Sequence, residues 1–201
     1  MKHAGRMLTV AAAMILGSAL GFGAKVGEPA PAFAVKDTKS REYKLSDYNG
    51  KYVVLEWQNK DCPFVQKHYN SNNMQKLQRE WTGKGIVWLT VLSSAPGKQG
   101  YLTVVQADAW VAEKKAAPTA FLLDPTGTMG RAYGAKTTPH LFVIDPKGNL
   151  IYNGAIDDKP TTELSDVPGA RNHVSAALSE AAAGKPVSVP AAAPYGCSVK
   201  Y

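Results

Sequence analysis

The stretch "KYVVLEWQNKDCPFVQKHY", residues 51–69, places one cysteine between an apolar run and the start of a helix pattern. Three consecutive apolar residues beginning at Val53 predict a short strand that is buried on both faces of a central sheet. Pro63 fits the first turn of a helix, because its N–H would have no intrahelical partner there. The sequence therefore predicts a strand, then Cys62 at the junction, then a helix.

The rest of the chain alternates strand patterns with helix patterns. The helix that begins near Pro63 is predicted to run to about Trp81, with an interruption at 70–73. The later elements are a strand within 85–94, a helix near 103–115, strands after Pro118 and Pro139, a hairpin of 141–145 with 150–156, and a helix within 171–184. This order indicates an α/β fold with helices on the faces of a mixed sheet and an antiparallel hairpin at its edge.

The first 24 residues have the features of a secretory signal peptide. Two basic residues precede an apolar run of 14 residues that ends at Leu20, and small residues follow. The run is short for a membrane span, and no cysteine follows it to carry a lipid. We therefore expect export to a periplasm or the outside, without a membrane anchor. The predicted parts are a signal peptide over 1–24, one domain over 25–184 and an extended tail over 185–201.

Charge and cysteine content argue against two classes of function. The formal net charge is +7, but Lys and Arg are scattered among acids and are not clustered with aromatic residues as in nucleic-acid binders. Neither Cys62 nor Cys197 has another Cys or His at ligand spacing, so no metal and no cofactor are predicted. In an exported chain, two cysteines form either a structural disulfide or a redox pair.

The predicted place of Cys62 at a helix start has a chemical consequence. Unpaired backbone N–H groups and the helix dipole favour the thiolate, which is the attacking species. The alternative is that Cys62 is a small buried hydrophobic residue. Its position after a central strand, the export signal and the single available partner favour the redox interpretation.

Two sequence elements together resemble a known family. A strand followed by "W-x-x-x-x-C-P" and a helix, and "YGAKTTP" before "FVIDPKG", are similar to the thioredoxin-fold redoxins. These include the peroxiredoxins of the thiol-specific antioxidant group and the exported thioredoxin-like reductases. The resemblance covers about residues 26–160 and implies a thioredoxin-like fold. It also implies that Pro139, more than the competing Pro118, is a cis-proline facing the sulfur, with Pro63 and the Thr138 backbone at the substrate.

Two departures from the family pattern concern the chemistry. Val65 stands where the thioredoxin-like reductases have a second cysteine, so no disulfide can close within this turn. Leu55 and Asn59 stand where peroxiredoxins have proline and threonine, although Asn59 can still donate a hydrogen bond to a substrate. The resemblance therefore supports thiol chemistry more strongly than peroxidase chemistry.

Cys197 is the one other cysteine in the chain, and two roles are open for it. A sulfenic acid or mixed disulfide on Cys62 needs a second thiol to resolve it. A flexible tail could bring Cys197 to Cys62 of the same chain or of a second copy in a homodimer. Alternatively, a permanent Cys62–Cys197 disulfide could stabilise the fold. Resolution is the favoured hypothesis.

Two polar side chains near Cys62 in the sequence are candidates for a role in the reaction. Glu56 stands where thioredoxin-like proteins keep an acid; if it is buried, its raised pKa would suit proton transfer. Strand alternation could equally point it toward solvent. His68 lies about 120° around the helix from the cysteine and is predicted to be a surface or capping residue.

The leading hypothesis is an exported thiol-dependent oxidoreductase of the redoxin type. Cys62 would attack a disulfide or a hydroperoxide, Cys197 would resolve the product, and a thiol reductant would complete the cycle. The rival hypothesis is a non-catalytic binding module that keeps the redoxin scaffold and uses Cys62–Cys197 as a structural disulfide.

Overall fold

A computed structural model describes residues 23–201, so the predicted signal peptide lies almost entirely outside the described residues. The strands of this part of the chain are β1 (Ala34–Asp37), β2 (Glu42–Lys44), β3 (Val53–Trp57), β4 (Val87–Leu92), β5 (Ala120–Leu123), β6 (Thr137–Thr138), β7 (His140–Ile144), β8 (Leu150–Gly154) and β9 (Cys197–Ser198). The α-helices are α1 (Pro63–Asn70), α2 (Asn73–Gly83), α3 (Val104–Glu113), α4 (Thr128–Tyr133) and α5 (His173–Ala182).

Seven of the strands form one mixed sheet in the order β2-β1-β5-β4-β3-β7-β8. Strands β3, β4 and β5 are parallel, so their carboxyl ends meet at one end of the sheet. Strands β7 and β8 form the antiparallel hairpin at one edge. The predicted α/β class, with a mixed sheet flanked by helices, is confirmed.

Two apolar layers cover the two faces of this sheet. One layer contains Val54 of β3 together with buried residues of α1, α2, α3 and α5. The other contains Leu55 and Trp57 of β3 together with Met129 and Tyr133 of α4. Strand β3 is therefore buried on both faces, as its continuous apolar pattern predicted.

The predicted interruption of the first long helix is present. Helix α1 ends at Asn70, and Asn72 adopts a left-handed conformation with φ 60° and ψ 16° before α2 begins. Asparagine enters this conformation more readily than most residues, so one position is enough to redirect the chain. Helix α1 is consequently a short, separate element that runs from the cysteine.

Strands β1 and β2 precede Val53, where the first strand predicted from the sequence begins. The structure pairs them as an antiparallel hairpin at the sheet edge. Asp37 stabilises the turn, because its carboxylate accepts hydrogen bonds from the N–H groups of Lys39 (2.8 Å) and Arg41 (2.9 Å). The strands are short and largely exposed, which leaves little apolar pattern to detect.

The predicted extended tail is docked on the body of the fold in this structure. Ala191 forms a bridge with Asn153, the Ala95 N–H donates to the Lys200 carbonyl (2.8 Å), and the Tyr201 hydroxyl donates to the Ala135 carbonyl (2.8 Å). Apolar side chains of the tail, including Tyr195, also pack against the core. The tail therefore lies across the end of the sheet at which β3 and β4 finish.

Candidate active site

Cys62 is the N-cap residue of α1 and lies just beyond the carboxyl end of β3. Asn59 fixes the loop between them: its Oδ1 accepts from the Asp61 N–H (2.9 Å), and its carbonyl accepts from the Cys62 N–H (3.0 Å). The Asn59 amide donates to the Gln99 carbonyl at 3.2 Å. These contacts hold the loop that carries the cysteine, and the expected bond from Asn59 to a substrate stays a prediction.

The Thr138–Pro139 peptide bond is cis and faces the cysteine. The Thr138 carbonyl oxygen lies 2.9 Å from Cys62 Sγ, so the protonated thiol donates to it. Pro139, and not Pro118, is thus the cis-proline beside the sulfur. Pro63 follows Cys62 directly as the first residue of α1.

Cys197 lies against Cys62 in the same chain. Strands β6 and β9 pair antiparallel with Cys197 opposite Thr138, and the Cys197 N–H points at Cys62 Sγ, with 3.4 Å between nitrogen and sulfur. Both residues are free thiols, and Cys62 is 0% exposed. Cys62 therefore lies against Cys197 of the docked tail, although the two residues are 135 positions apart in sequence.

The two thiols differ in acidity. Burial opposes ionisation of Cys62, but hydrogen bonds from the side chain and the N–H of Cys197 outweigh it and hold the pKa of the Cys62 thiol below its ordinary value. Burial, and next the hydrogen bond and charge of Cys62, raise the pKa of Cys197 to about 11. Cys62 is therefore the more acidic of the two thiols and the first to ionise.

Glu56 is buried, which was one of the two alternatives for this residue. Its carboxylate accepts four hydrogen bonds, from Tyr69 (2.7 Å), Gln78 (3.0 Å), Trp88 (2.8 Å) and Thr90 (3.0 Å). Burial raises the pKa of Glu56 in spite of these four donors. None of the four is Cys62, so a role in proton transfer to the cysteine stays a prediction.

His68 is not on the surface: its exposure is 0%, which corrects the sequence interpretation. Its Nε2 lies 3.2 Å from the Tyr195 hydroxyl, and that hydroxyl donates to Asp157 Oδ1 at 2.5 Å. This cluster was missed because its members come from α1, the segment after β8 and the tail. The one available signal was Tyr195, an aromatic residue that is separated from Cys197 by a single glycine. Within residues 23–201, no three His, Cys, Asp or Glu side chains are grouped as metal ligands.

Comparison with known proteins places this geometry in a family. Residues 26–153 match the AhpC/TSA family. The chain belongs to that family. It is also 31% identical over 165 residues to Peroxiredoxin-2 of Cricetulus griseus, an alignment that covers 71% of this chain and 75% of that protein. Its kinship with the thioredoxin-fold redoxins, and with them the general class of thiol oxidoreductase, is therefore confirmed.

Solved structures support the fold of this AhpC/TSA member. A hypothetical protein from Sinorhizobium meliloti superposes with a TM-score of 0.73 at 22% identity, covering 90% of this chain and 96% of its own. A protein from Chlorobium tepidum, described as a thiol:disulfide interchange protein DsbE, gives a TM-score of 0.53 at 26% identity and covers 65% and 85%. In the part of the chain that the structure describes, no helix combines the length and apolar character of a membrane span.

Proposed function

We propose that this protein reduces a small hydroperoxide, with Cys62 as the nucleophile and Cys197 as the resolving thiol. The Cys62 thiolate attacks one peroxide oxygen, the O–O bond breaks, and the other oxygen leaves as an alcohol or water after taking a proton. Cys62 is thereby oxidised to a sulfenic acid. The Cys197 sulfur then attacks the Cys62 sulfur, a disulfide forms and water leaves. A thiol reductant restores both cysteines by exchange.

The single observation that carries this proposal is the position of Cys197. Its N–H is directed at Cys62 Sγ from a strand of the same chain, and the Cys62 thiol has a lowered pKa while Cys197 stays protonated. Resolution then needs neither the second cysteine that Val65 replaces nor a second subunit. A homodimer is not required by this mechanism.

The choice of a small oxidant rests on the covering of the site. Cys62 is fully buried, and the β6 edge beside it is already paired with β9. A hydroperoxide requires only a small opening of the tail, whereas a polypeptide would have to displace the strand. The Peroxiredoxin-2 relatives support the same choice.

Reduction of a protein disulfide is the second candidate, and one observation favours it. The Thr138 edge pairs antiparallel with a cysteine-bearing segment, namely the tail itself. An extended segment of another protein could add to the same edge once the tail has left. Thr138, Pro139 and Pro63 would then contact the substrate backbone.

Single-turnover measurements on the reduced protein separate these candidates. Hydrogen peroxide at one equivalent should be consumed rapidly and yield a Cys62–Cys197 disulfide, detected by mass spectrometry of non-reduced peptides. Cys62→Ser should abolish consumption, and Cys197→Ser should keep the first turnover but accumulate the sulfenic acid, which dimedone traps.

Different results would indicate other functions. Inertness toward hydroperoxides combined with fast exchange with a disulfide-bonded peptide would support the second candidate. Inertness toward both, together with a disulfide that forms once and resists dithiols, would indicate the non-catalytic binding module.

We also propose export with removal of about residues 1–24. The proposal rests on the sequence, in which two basic residues, an apolar run of 14 residues that ends at Leu20 and a stretch of small residues follow one another. The intact mass of the protein recovered from an envelope or extracellular fraction should lack the leader. Retention of the full-length chain in the cytoplasm would contradict this proposal.

A further inference from the structure

Close to Cys197, the tail is held to the body of the protein mainly by the side chain of Tyr195. Its ring packs against Phe64 of α1 with 5.7 Å between ring centroids. Its hydroxyl donates to Asp157 Oδ1 and lies within hydrogen-bond distance of His68 Nε2. Asp157 and His68 are both buried, so the Tyr195 hydroxyl contacts a cluster of polar side chains that is shielded from solvent.

The four side chains of this group form one directed chain of hydrogen bonds. The Tyr195 hydroxyl donates to Asp157 Oδ1, so its oxygen is the acceptor for the His68 Nε2–H. His68 Nδ1 is then the acceptor for the Asn73 amide, 2.9 Å away. Burial lowers the pKa of His68 to about 4, which keeps the ring neutral and suits this tautomer. The order is Asn73 to His68 to Tyr195 to Asp157.

The connection from Tyr195 to Cys197 is short and runs close against the Thr138 carbonyl. The one residue between them, Gly196, has φ +132°, and a Cβ atom at this position would lie 2.0 Å from the Thr138 carbonyl oxygen. Helix α1 carries Cys62 at its N-cap and His68 farther along, so the tail is fixed to the same rigid element that holds the nucleophile.

We infer that Tyr195 is a positioning residue: its hydroxyl, held between His68 and Asp157, sets the tail so that Cys197 lies against Cys62. The inference rests on the proposed resolving role of Cys197. It adds that the resolving thiol is delivered by a side-chain latch made of Tyr195, His68 and Asp157. Without the latch, β9 would depend on the short pairing with β6 and the contacts that follow it.

The test uses Tyr195→Phe, which removes the hydroxyl and keeps the ring on Phe64. In the reduced protein, alkylation of Cys62 by N-ethylmaleimide requires the tail to open, and we expect it to become about tenfold faster. Diamide, which oxidises a dithiol directly to a disulfide, should form the Cys62–Cys197 bond several times more slowly. After hydrogen peroxide treatment, the fraction of Cys62 carried to sulfinic acid should rise at the expense of the disulfide.

Tyr52→Phe is the matched control. It removes another tyrosine hydroxyl bond, that to the Ala181 carbonyl of α5 (2.9 Å), and leaves the contacts of Tyr195 and Cys197 in place. Its alkylation and diamide rates should equal those of the wild type. Asp157→Ala removes the acceptor for Tyr195 and should show the same changes as Tyr195→Phe, whereas Asp157→Asn keeps an acceptor and should stay close to the wild type; this pair also serves if Tyr195→Phe does not fold.

Failure of this inference differs from failure of the proposed function. If the wild type does not react with hydrogen peroxide but Tyr195→Phe still accelerates alkylation and slows the diamide reaction, the latch stands and the peroxidase proposal falls. If Tyr195→Phe matches the wild type and Tyr52→Phe in both measurements, the positioning role is overturned. Equal results for Asp157→Asn and Asp157→Ala would overturn it as well.

Discussion

The acidity of Cys62 depends on a donor that is supplied by another cysteine. Of the groups that favour its thiolate, the side chain and N–H of Cys197 are the strongest. The Thr138 carbonyl, by contrast, accepts from the protonated thiol at 2.9 Å and cannot stabilise the anion. The acidity of Cys62 is therefore linked to the position of Cys197 before any oxidant arrives.

Cys197→Ala should raise the pKa of Cys62 by about one unit, because it removes the S–H donor and keeps the backbone N–H. The pH dependence of Cys62 alkylation by iodoacetamide gives this pKa directly. Cys197→Ser retains a donor and should stay close to the wild type. The same Cys62 pKa in all three proteins would show that Cys197 does not tune the nucleophile.

Glu56→Gln should lower the free energy of unfolding by about 1–3 kcal/mol, measured by urea denaturation. A glutamine oxygen cannot accept from all four donors, and its amide would face some of them. Glu42→Gln changes an exposed carboxylate and should leave the free energy of unfolding close to that of the wild type. If Glu56→Gln also displaces the pH profile of Cys62 reactivity, Glu56 takes part in proton transfer; an unchanged profile would assign it to the fold alone.

Strand β9 brings Cys197 to Cys62, and its pairing with β6 depends on Gly196. The close approach of Gly196 to the Thr138 carbonyl leaves no space for a side chain. The strand is also held beyond the cysteine, where the Val199 N–H donates to the Lys136 carbonyl (3.1 Å). The pairing of β9 with β6 covers two residues, and the contacts before and after Cys197 add to its stability.

Gly196→Ala should release this strand, because the new Cβ overlaps a backbone oxygen and alanine is strained at φ +132°. We expect hydrogen exchange at the Val199 and Ala95 amides to accelerate by about tenfold or more. Gly169→Ala is the control, since nothing lies within 4 Å of a Cβ there. Unchanged exchange in Gly196→Ala would mean that the tail docks without the β6–β9 pairing.

The elements that could be predicted were those with a strong local pattern. The apolar run at Val53, the proline that opens α1 and the asparagines that separate α1 from α2 each act through neighbouring residues. Strands β1 and β2 lack such a pattern. The docking of the tail could not be predicted, because Tyr195 meets His68 across 127 residues of sequence and no local rule connects them.

The difference between local patterns and long-range contacts also decides which residues of the site could be predicted. Cys62 and Pro139 were predicted because a strand-to-helix junction and a family pattern mark them. The latch was not predicted, since a lone histidine on a helix gives no sign of whether it is buried. Burial of His68 follows from the tail and the segment after β8, which close over α1 only in the folded chain.

The two deeply buried histidines predict that the fold loses stability in mild acid. Burial lowers the pKa of His68, which faces Asp157 and Lys67, and of His140, beside Asn153 and Lys136, each to about 4. The unfolded chain binds these protons near pH 6.5 and the folded chain only near 4, so stability falls as pH decreases between those values, by about 2 kcal/mol per histidine at pH 4.5.

Urea denaturation from pH 7 to 4.5 measures the loss. His68→Gln and His140→Gln should each remove roughly half of the histidine contribution; carboxylates titrate in every variant and cancel in the comparison. An equal loss in the wild type and both variants would show that neither buried ring resists protonation.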